Sequence, residues 1–344
     1  MEEKTDISET NLALHYSDSV FENLLKDHTT QQNIYWATDS YKDLGEGYNF
    51  GDPITSERIS YTNEGKLRPR SVKSKDEITK RVKDKAEVFT PSWICNVQNN
   101  LIDEAWFGRK NVFNTELEDE NGNRSWNTNP DKIEFSNGEN RCWKNYVAEA
   151  RLEVTCGEAP YLVSRYDSVS GEKIEVKNRI GLIDRKLRIV SENTDTPLQW
   201  LAWAKIALAS SYGFEWQGDN LLLARENVFC TFIDFYERKF GEDFPKRQEE
   251  DLLEVAHIIS WNLWQMDGLT CGLPGYKVKE EDEKASGYTG TLFDTNSQFE
   301  PRERLCRVNE FFKSKEILEL DVEGINFLEE KKGQQFKSLL HNKR

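Results

Sequence analysis

Long apolar runs are absent from this sequence: no stretch of eighteen or more apolar residues occurs, and the amino terminus is acidic rather than basic and then apolar. We therefore expect neither a transmembrane helix nor a signal peptide, and no membrane partner. The six cysteines form no Cys-x-x-Cys pair, and the four histidines are not grouped at ligand spacing. Both observations argue against a disulfide scaffold and a bound metal, and they favour the reducing cytoplasm.

Positive charge is scarce as well. The formal net charge of -15 argues against broad, nonspecific binding of polyanions, which requires clustered Lys and Arg. Residues 66–85 are the exception, because they carry nine basic residues against three acidic ones. This segment is the first place to look for a contact with DNA, and the alternative is a solvated, charged surface helix.

Apolar and aromatic residues are what the chain does have. At 344 residues, 37% hydrophobic and 12% aromatic, it can bury a sizeable core and is globular rather than disordered. The length suits one large α/β domain with additions, or two domains. We predict an N-terminal extension over 1–85, a main domain over 86–270 with insertions near 108–142 and 167–197, and a polar C-terminal region over 271–344.

Strand and helix patterns alternate through the main domain. This alternation implies a parallel sheet whose ligand lies at the carboxyl ends of the strands. Short apolar runs predict strands over 151–155, 212–216 and 261–265, and helical spacing predicts helices over 198–210, 219–240 and 248–260. Further helices are predicted over 19–26, over 143–150 and from Pro91, capped by Thr90, to 106. The C-terminal region offers a strand over 290–293 and a charged helical tail from Arg302.

Four short stretches fall where a ligand of such a sheet would bind. In a doubly wound sheet, a tight turn after one strand admits an adenosyl group, and a carboxylate ending the next strand accepts hydrogen bonds from its ribose hydroxyls. The turn at Gly157 and the carboxylate of Glu215 suit these roles, with an insertion between them. Taken alone, Gly157 is also explained as a structural glycine, and Asp267 as a turn residue. The stretches are Val88-Phe89-Thr90-Pro91, Glu153-Val154-Thr155-Cys156-Gly157, Tyr212-Gly213-Phe214-Glu215-Trp216 and Gln265-Met266-Asp267-Gly268-Leu269.

In this order, the four stretches resemble the cofactor-binding half of an adenine-N6 DNA methyltransferase over residues 86–270. The resemblance implies an α/β, Rossmann-like fold of the S-adenosylmethionine-dependent methyltransferases, with insertions and an N-terminal extension. It also implies S-adenosylmethionine as the cofactor. The implied site residues are Thr90 and Pro91 beside the methionine moiety, Glu153, Cys156 and Gly157 in the nucleotide-binding turn, Glu215 on the ribose hydroxyls, Trp216 against the adenine ring and Asp267 on the adenine amino group.

The neighbouring residues extend the resemblance and also depart from it. Ala224 and Asn227 match an Ala-x-x-Asn pattern on the helix after the second motif. The run over 216–225 resembles bacterial and phage methylase subunits of restriction systems. Where the family's turn has a second glycine, this chain has Ala159 followed by Pro160, which makes the turn stiffer.

The catalytic motif of the family is missing. Methyl transfer to an adenine amino group uses an Asn, Asp or Ser before Pro-Pro and an aromatic residue, which bind and stack the flipped base. None of the nine prolines is next to another, so the motif occurs nowhere in the sequence. The weak substitutes after the third motif are Asp294 or Asn296 as hydrogen-bond acceptors and Phe299 as the stacking ring.

Three functions are compatible with these residues. The first is an S-adenosylmethionine-dependent methylase subunit of a restriction-modification or phage-related system, with DNA as substrate and a protein partner that supplies recognition or catalytic parts. The second is a catalytically inactive, methyltransferase-like binding or regulatory module. The third is an unrelated acidic interaction protein with a fortuitous α/β pattern.

Overall fold

A small parallel sheet surrounded by helices makes the protein mixed α/β. The structure, a computed structural model, describes residues 17–60, 67, 90–135, 141–241, 244, 249–275, 305–312, 322–329, 333–336 and 339. Within these ranges, no helix combines the length and the hydrophobicity that a membrane span requires. The basic segment over 66–85, Leu67 apart, and the predicted strand over 290–293 lie outside the described residues.

Three parallel strands form the sheet in the described part of the chain. They are β5 (Arg151–Glu153), β6 (Ser211–Glu215) and β7 (Leu263–Gln265), in the order β5-β6-β7. Leu152 pairs with Tyr212, and Phe214 pairs with Trp264. The three strands predicted from the sequence are therefore present, with ends shifted by one or two residues. Because the strands are parallel, their carboxyl ends lie along one edge of the sheet.

Two helices precede β6 and two precede β7. They are α5 (Leu182–Asn193), α6 (Pro197–Ala209), α7 (Gly218–Phe240) and α8 (Glu249–Asn262). The first turn of α6 is fixed by Thr196, whose hydroxyl accepts a hydrogen bond from the Gln199 N–H at 3.3 Å, and by Pro197 at the first helical position. Gly241, in the left-handed conformation, ends α7. The predicted bounds of α6, α7 and α8 agree with these within two residues.

Helix α5 was not predicted, because the sequence assigned residues 167–197 to an insertion. Apolar residues do recur at helical spacing in this segment, and several of the charged residues between them are buried. The guanidinium of Arg185 donates to the carboxylate of Asp103 and, at 2.9 Å, to the side-chain oxygens of Asn96 and Asn100. The ammonium of Lys186 donates to the Glu149 carbonyl at 2.7 Å and to hydroxyls at the start of β6. The Arg185 bonds attach α5 to residues 96–103, and the Lys186 bonds attach it to the start of β6.

The predicted irregular insertion near 108–142 contains a β-hairpin. Strands β3 (Asn114–Glu118) and β4 (Arg124–Thr128) pair antiparallel. The carboxylate of Asp119 accepts the N–H groups of Asn121 and Asn123 at 2.8 Å, which closes the connecting turn. Most residues of the hairpin are exposed. The sequence therefore lacks the apolar alternation that reveals a half-buried strand.

The N-terminal region belongs to the same core as the main domain. Its elements are α1 (Asp18–Leu25), predicted over 19–26, the paired strands β1 (Lys26–Asp27) and β2 (Gln32–Asn33), and the short helix α2 (Ser56–Ile59). The buried face of α1, which includes Phe21 and Leu24, belongs to the main hydrophobic cluster together with residues of α6, α7 and α8. Residues 18–59 are therefore packed as part of the main fold.

Helix α3 (Ser92–Phe107) differs from its prediction at the first turn. Pro91 is the residue before the helix rather than its first residue, and Thr90 does not cap it. The Ser92 N–H instead donates to the carboxylate of Asp167 at 2.8 Å, so a residue far along the chain supplies the cap. Helix α4 (Trp143–Ala148) follows the hairpin and ends two residues before its predicted limit.

A second, smaller hydrophobic cluster covers the other side of β6 and β7. It contains Phe214, Trp264 and Met266, with Cys306 and Val308 from the C-terminal region. Val308 belongs to the strand β8 (Arg307–Val308), which pairs antiparallel with β9 (Gln334–Gln335). These two short strands lie where the sequence predicted a charged helical tail.

Candidate functional site

Two carboxylates end neighbouring strands at the carboxyl edge of the sheet. Glu153 is the last residue of β5 and Glu215 the last of β6, and each is only 7% exposed. The Glu153 carboxylate accepts hydrogen bonds from the N–H groups of Tyr161 at 3.3 Å and Leu162 at 3.1 Å. The Glu215 carboxylate accepts from the Gly157 N–H at 2.9 Å. Both side chains therefore hold the turn that follows β5.

That turn folds back sharply over the strand ends. Thr155, Gly157 and Ala159 all have positive φ, between 50° and 63°. Glycine adopts this conformation without strain, whereas it costs Thr155 and Ala159 about 1–2 kcal/mol each. The Cys156 N–H donates to the Phe214 carbonyl at 2.8 Å and anchors the turn to β6. The position of Ala159, which the sequence identified as the departure from a glycine pattern, is thus one whose backbone favours glycine.

Burial perturbs the acids and thiols of the turn. Desolvation, reinforced by the nearby Glu215 carboxylate, raises the pKa of Glu153 to about 8, against the two backbone N–H groups that favour its charged form. Burial and the same two carboxylates raise the pKa of Cys156 well above its ordinary value. Glu153 is therefore mostly protonated at neutral pH, and the Cys156 thiol is a poor nucleophile.

Thr90 and the turn come together at the same end of the sheet. The Thr90 carbonyl accepts a hydrogen bond from the Ser168 hydroxyl at 2.8 Å. A hydrogen bond to the Thr90 side chain lowers the pKa of Tyr161, although partial burial raises it overall. Tyr161 itself follows the turn and is half-buried. The structure thus brings the first predicted motif beside the second, although 71 residues separate Thr90 from Tyr161 in the chain.

No family model, curated protein or solved structure matches this chain. The assignment of a function therefore depends on the geometry of the strand ends.

Residues 35–37 lie across the carboxyl ends of β6 and β7. The side-chain amide of Gln265 donates to the carbonyls of Tyr35 at 2.8 Å and Trp216 at 2.9 Å, and its oxygen accepts the Tyr35 N–H at 3.1 Å. The indole N–H of Trp216 donates to the Ala37 carbonyl at 3.1 Å. The sequence did not indicate these residues as part of the site, because they fall in the predicted N-terminal extension. The adjacent aromatic residues Tyr35 and Trp36 are the only local signal.

Asp267 follows β7 and stabilises its own turn. Its carboxylate accepts the Leu269 N–H and the Thr270 hydroxyl, both at 2.9 Å. The Asp267 N–H donates to the Gly272 carbonyl at 2.8 Å. Asp267 therefore acts as a turn residue, which the sequence allowed as an alternative to a contact with adenine. The weak catalytic substitutes Asp294, Asn296 and Phe299 lie outside the described residues.

Helix α7 contacts the turn that follows β5. Asn227 donates to the Glu158 carbonyl at 3.2 Å and to the Tyr166 hydroxyl at 2.9 Å, so it fixes the turn on the helix. Gln217, the residue before α7, is 5% exposed, and its side-chain oxygen has no partner among the described residues. A buried acceptor without a hydrogen-bond donor lowers the stability of the fold. Gln217 lies two residues after Glu215 in the chain.

The side chains at the carboxyl ends of the strands offer mainly oxygen acceptors, and tight turns surround them. Within the described ranges, no group of three or more His, Cys, Asp or Glu side chains is placed to bind a metal ion. The carboxylate of Glu215 and the tight turn suit a polar ligand that carries hydroxyl donors.

Proposed function

We propose that this protein binds S-adenosylmethionine at the carboxyl edge of the sheet, as an adenine-N6 DNA methyltransferase-like subunit of a restriction-modification or phage-related system. One observation carries the proposal: Glu153, the Gly157 turn and Glu215 meet at the ends of two adjacent parallel strands. A methyltransferase fold of the Rossmann type would need these three features at this edge.

The residues at the edge are compatible with the proposed ligand. Glu215 would accept hydrogen bonds from the ribose hydroxyls, and the side-chain oxygen of Gln217, which has no partner among the described residues, would accept another donor. Thr90 and Tyr161 would line the methionine end, while Glu153 holds the turn in place. The cofactor would supply an electrophilic methyl group on a positively charged sulfonium, which the carboxylate of Glu215 would favour.

Trp216 and Asp267 would form the adenine side of the site. Trp216 uses its indole N–H to hold Ala37, so only its ring would remain to pack against an adenine. Asp267 would share its carboxylate between its own turn and the adenine amino group. We propose that residues 35–37, which hold Trp216 and Gln265 in place, form part of the wall on this side.

A catalytically inactive binding or regulatory module is the second candidate. The observation that favours it is the absence of adjacent prolines, and hence of the Pro-Pro-aromatic motif, in the full sequence. In the active alternative, a partner protein or the substitutes Asp294, Asn296 and Phe299 would supply the missing contacts to a flipped adenine of DNA.

Calorimetric titration with S-adenosylmethionine and S-adenosylhomocysteine tests the proposal. We expect the wild-type protein to bind both, and Glu215→Gln to weaken binding by about 1–3 kcal/mol through the loss of charge-assisted hydrogen bonds. Glu118→Gln, an exposed change of the same chemistry on the hairpin, is the matched control and should bind as the wild type does. Absence of binding by the wild-type protein, or equal affinity of the Glu215 variant, would refute the proposal.

Transfer of a tritiated methyl group to mixed DNA separates the two candidates. Incorporation that disappears in Asp294→Ala would support an active methylase. Cofactor binding without incorporation would favour the inactive module.

A further inference from the structure

A second cleft lies away from the strand ends. It has a volume of about 570 Å³ and is bordered by the end of β4, the turn Val176–Asn178, α5 and the last turns of α7. Helix α7 begins beside Glu215 and reaches the cleft some 30 Å further along, at about 1.5 Å per residue. The cationic residues that α7 contributes to the cleft are therefore distant from Glu215.

Basic residues dominate the charge of the cleft. Five cationic side chains line it: Lys177, Arg179, Arg188, Arg238 and Lys239. The acidic residues of the lining are Asp184 and Glu192. Lys177 and Arg179 are paired with the carboxylates of Glu175 and Asp234 beside the lining, so the positive charge left to attract an anion is mainly that of Arg238 and Lys239.

The two acidic residues are already engaged in the structure. The Asp184 carboxylate accepts the N–H groups of Ser164 at 2.8 Å and Gly181 at 2.9 Å, and burial raises its pKa. Glu192 pairs with the guanidinium of Arg188 at 2.7 Å. Neither side chain is therefore positioned as a free acceptor that would select a cation.

Some N–H groups of these cationic side chains have no carboxylate partner among the described residues. Lys239 donates to the Ser191 carbonyl at 2.7 Å and has no carboxylate partner among the described residues. Arg238, the residue before Lys239 on the same helix, is exposed. Arg179 binds Asp234 through one nitrogen, while a second nitrogen of its buried guanidinium has no partner in the described part of the chain. An unpaired buried guanidinium donor calls for an anionic or polar ligand nearby.

The size and the neutral lining define the class of ligand. A volume of this order accommodates a nucleotide-sized molecule. The side-chain amides of Asn127 and Asn178 lie beside the basic residues, whereas the amide of Asn129 is bonded to Val112 and Asp131. Arg and Lys beside such amides are the groups that bind phosphate esters and the sugars attached to them.

We propose that this cleft binds the phosphate groups of a nucleotide, either free or within a single strand of nucleic acid. Arg238 and Lys239 contact the phosphate from α7, and Arg179 supports them from the floor of the cleft.

Fluorescence anisotropy of the full chain with a fluorescein-labelled single-stranded oligodeoxynucleotide, with unlabelled ATP and inorganic phosphate as competitors, tests the proposal. The double variant Arg238→Gln/Lys239→Gln should weaken binding about tenfold and reduce the salt dependence, because two phosphate contacts are lost. The matched control Lys42→Gln/Lys110→Gln removes the same charge from exposed positions outside the cleft and should bind as the wild type does.

The competitors identify the source of the phosphate. If ATP binds and displaces the oligonucleotide, and its affinity falls in the cleft variant, the ligand is a free nucleotide. If only the oligonucleotide binds and depends on the cleft, the ligand is a nucleic acid strand. Binding by none of the three probes, or equal loss in the cleft and control variants, overturns the proposal. The affinity for S-adenosylmethionine, measured separately by calorimetry, should be the same in Arg238→Gln/Lys239→Gln as in the wild type, so failure here is independent of the cofactor proposal.

Discussion

Single buried charged residues hold separate parts of this chain together. Arg225, on α7, is fully buried and donates five hydrogen bonds to four backbone carbonyls, those of Leu24, Lys26, Ser260 and Leu263. Burial lowers its pKa to about 10, so the guanidinium stays charged at neutral pH. It thereby ties the N-terminal region and the start of β7 to one helix.

Replacing Arg225 should be strongly destabilising. We expect Arg225→Met to lower the free energy of unfolding by about 3–5 kcal/mol, because the carbonyls it satisfies would remain buried without donors. Urea denaturation followed by circular dichroism measures the change. Arg238→Met, an exposed substitution on the same helix, should stay within about 0.5 kcal/mol of the wild type. Equal effects of the two substitutions would show that the buried bonds carry no net stability.

At the scale of elements, the segment over residues 35–37 is closely fitted to the start of α7. A side chain added at Gly218 would place its Cβ 2.0 Å from the Tyr35 carbonyl oxygen. The Gly218 N–H donates to the Trp36 carbonyl at 3.0 Å. Glycine is therefore required here by close approach of two backbones.

Gly218→Ala should displace this segment from the strand ends. We expect faster amide hydrogen exchange over residues 34–38, with loss of the hydrogen bonds between Gln265 and Tyr35. Gln265→Ala should produce the same pattern by removing those bonds directly. The hairpin of β3 and β4 serves as an internal control and should keep its wild-type exchange. Unchanged exchange over 34–38 in both variants would mean that the segment is held by other contacts.

The sequence predicted those strands and helices that a local pattern of apolar residues marks. Apolar runs and helical periodicity predicted seven elements to within two residues of their observed bounds. They are the strands β5, β6 and β7 and the helices α1, α6, α7 and α8. The hairpin was missed because most of its residues are exposed, and α5 was missed because its segment was assigned to an insertion. The cap of α3 was assigned to Thr90, but Asp167 supplies it across the fold.

At the scale of the whole molecule, two neutral histidines join distant elements. His28, next to β1, stacks on Trp261 of α8 with ring centroids 4.0 Å apart, and its Nε2 is 2.9 Å from the Ser260 hydroxyl. His257 contacts the His28 ring edge to face. Burial lowers the pKa of His28 to about 2 and that of His257 to about 4.

Acid should therefore destabilise the fold through these residues. Below the ordinary pKa of 6.5, the unfolded chain binds protons that folded His28 and His257 exclude, so stability is complete above pH 6.5 and falls as the pH decreases toward 4. We expect a loss of about 2 kcal/mol per histidine at about pH 5, measured by urea denaturation. His28→Phe, which keeps an aromatic ring on Trp261, should show a smaller loss. The same loss in variant and wild type would contradict the assignment.

The sequence by itself determined the positions of the main strands and helices and the presence of Glu215 close to a strand end, because these depend on residues close together in the chain. The tertiary structure decided what surrounds them. It placed residues 35–37 over β6 and β7, joined Thr90 to Tyr161 and assembled the basic cleft from four separate elements. Those contacts join residues far apart in sequence, and only the packing of the whole chain brings such residues within bonding distance.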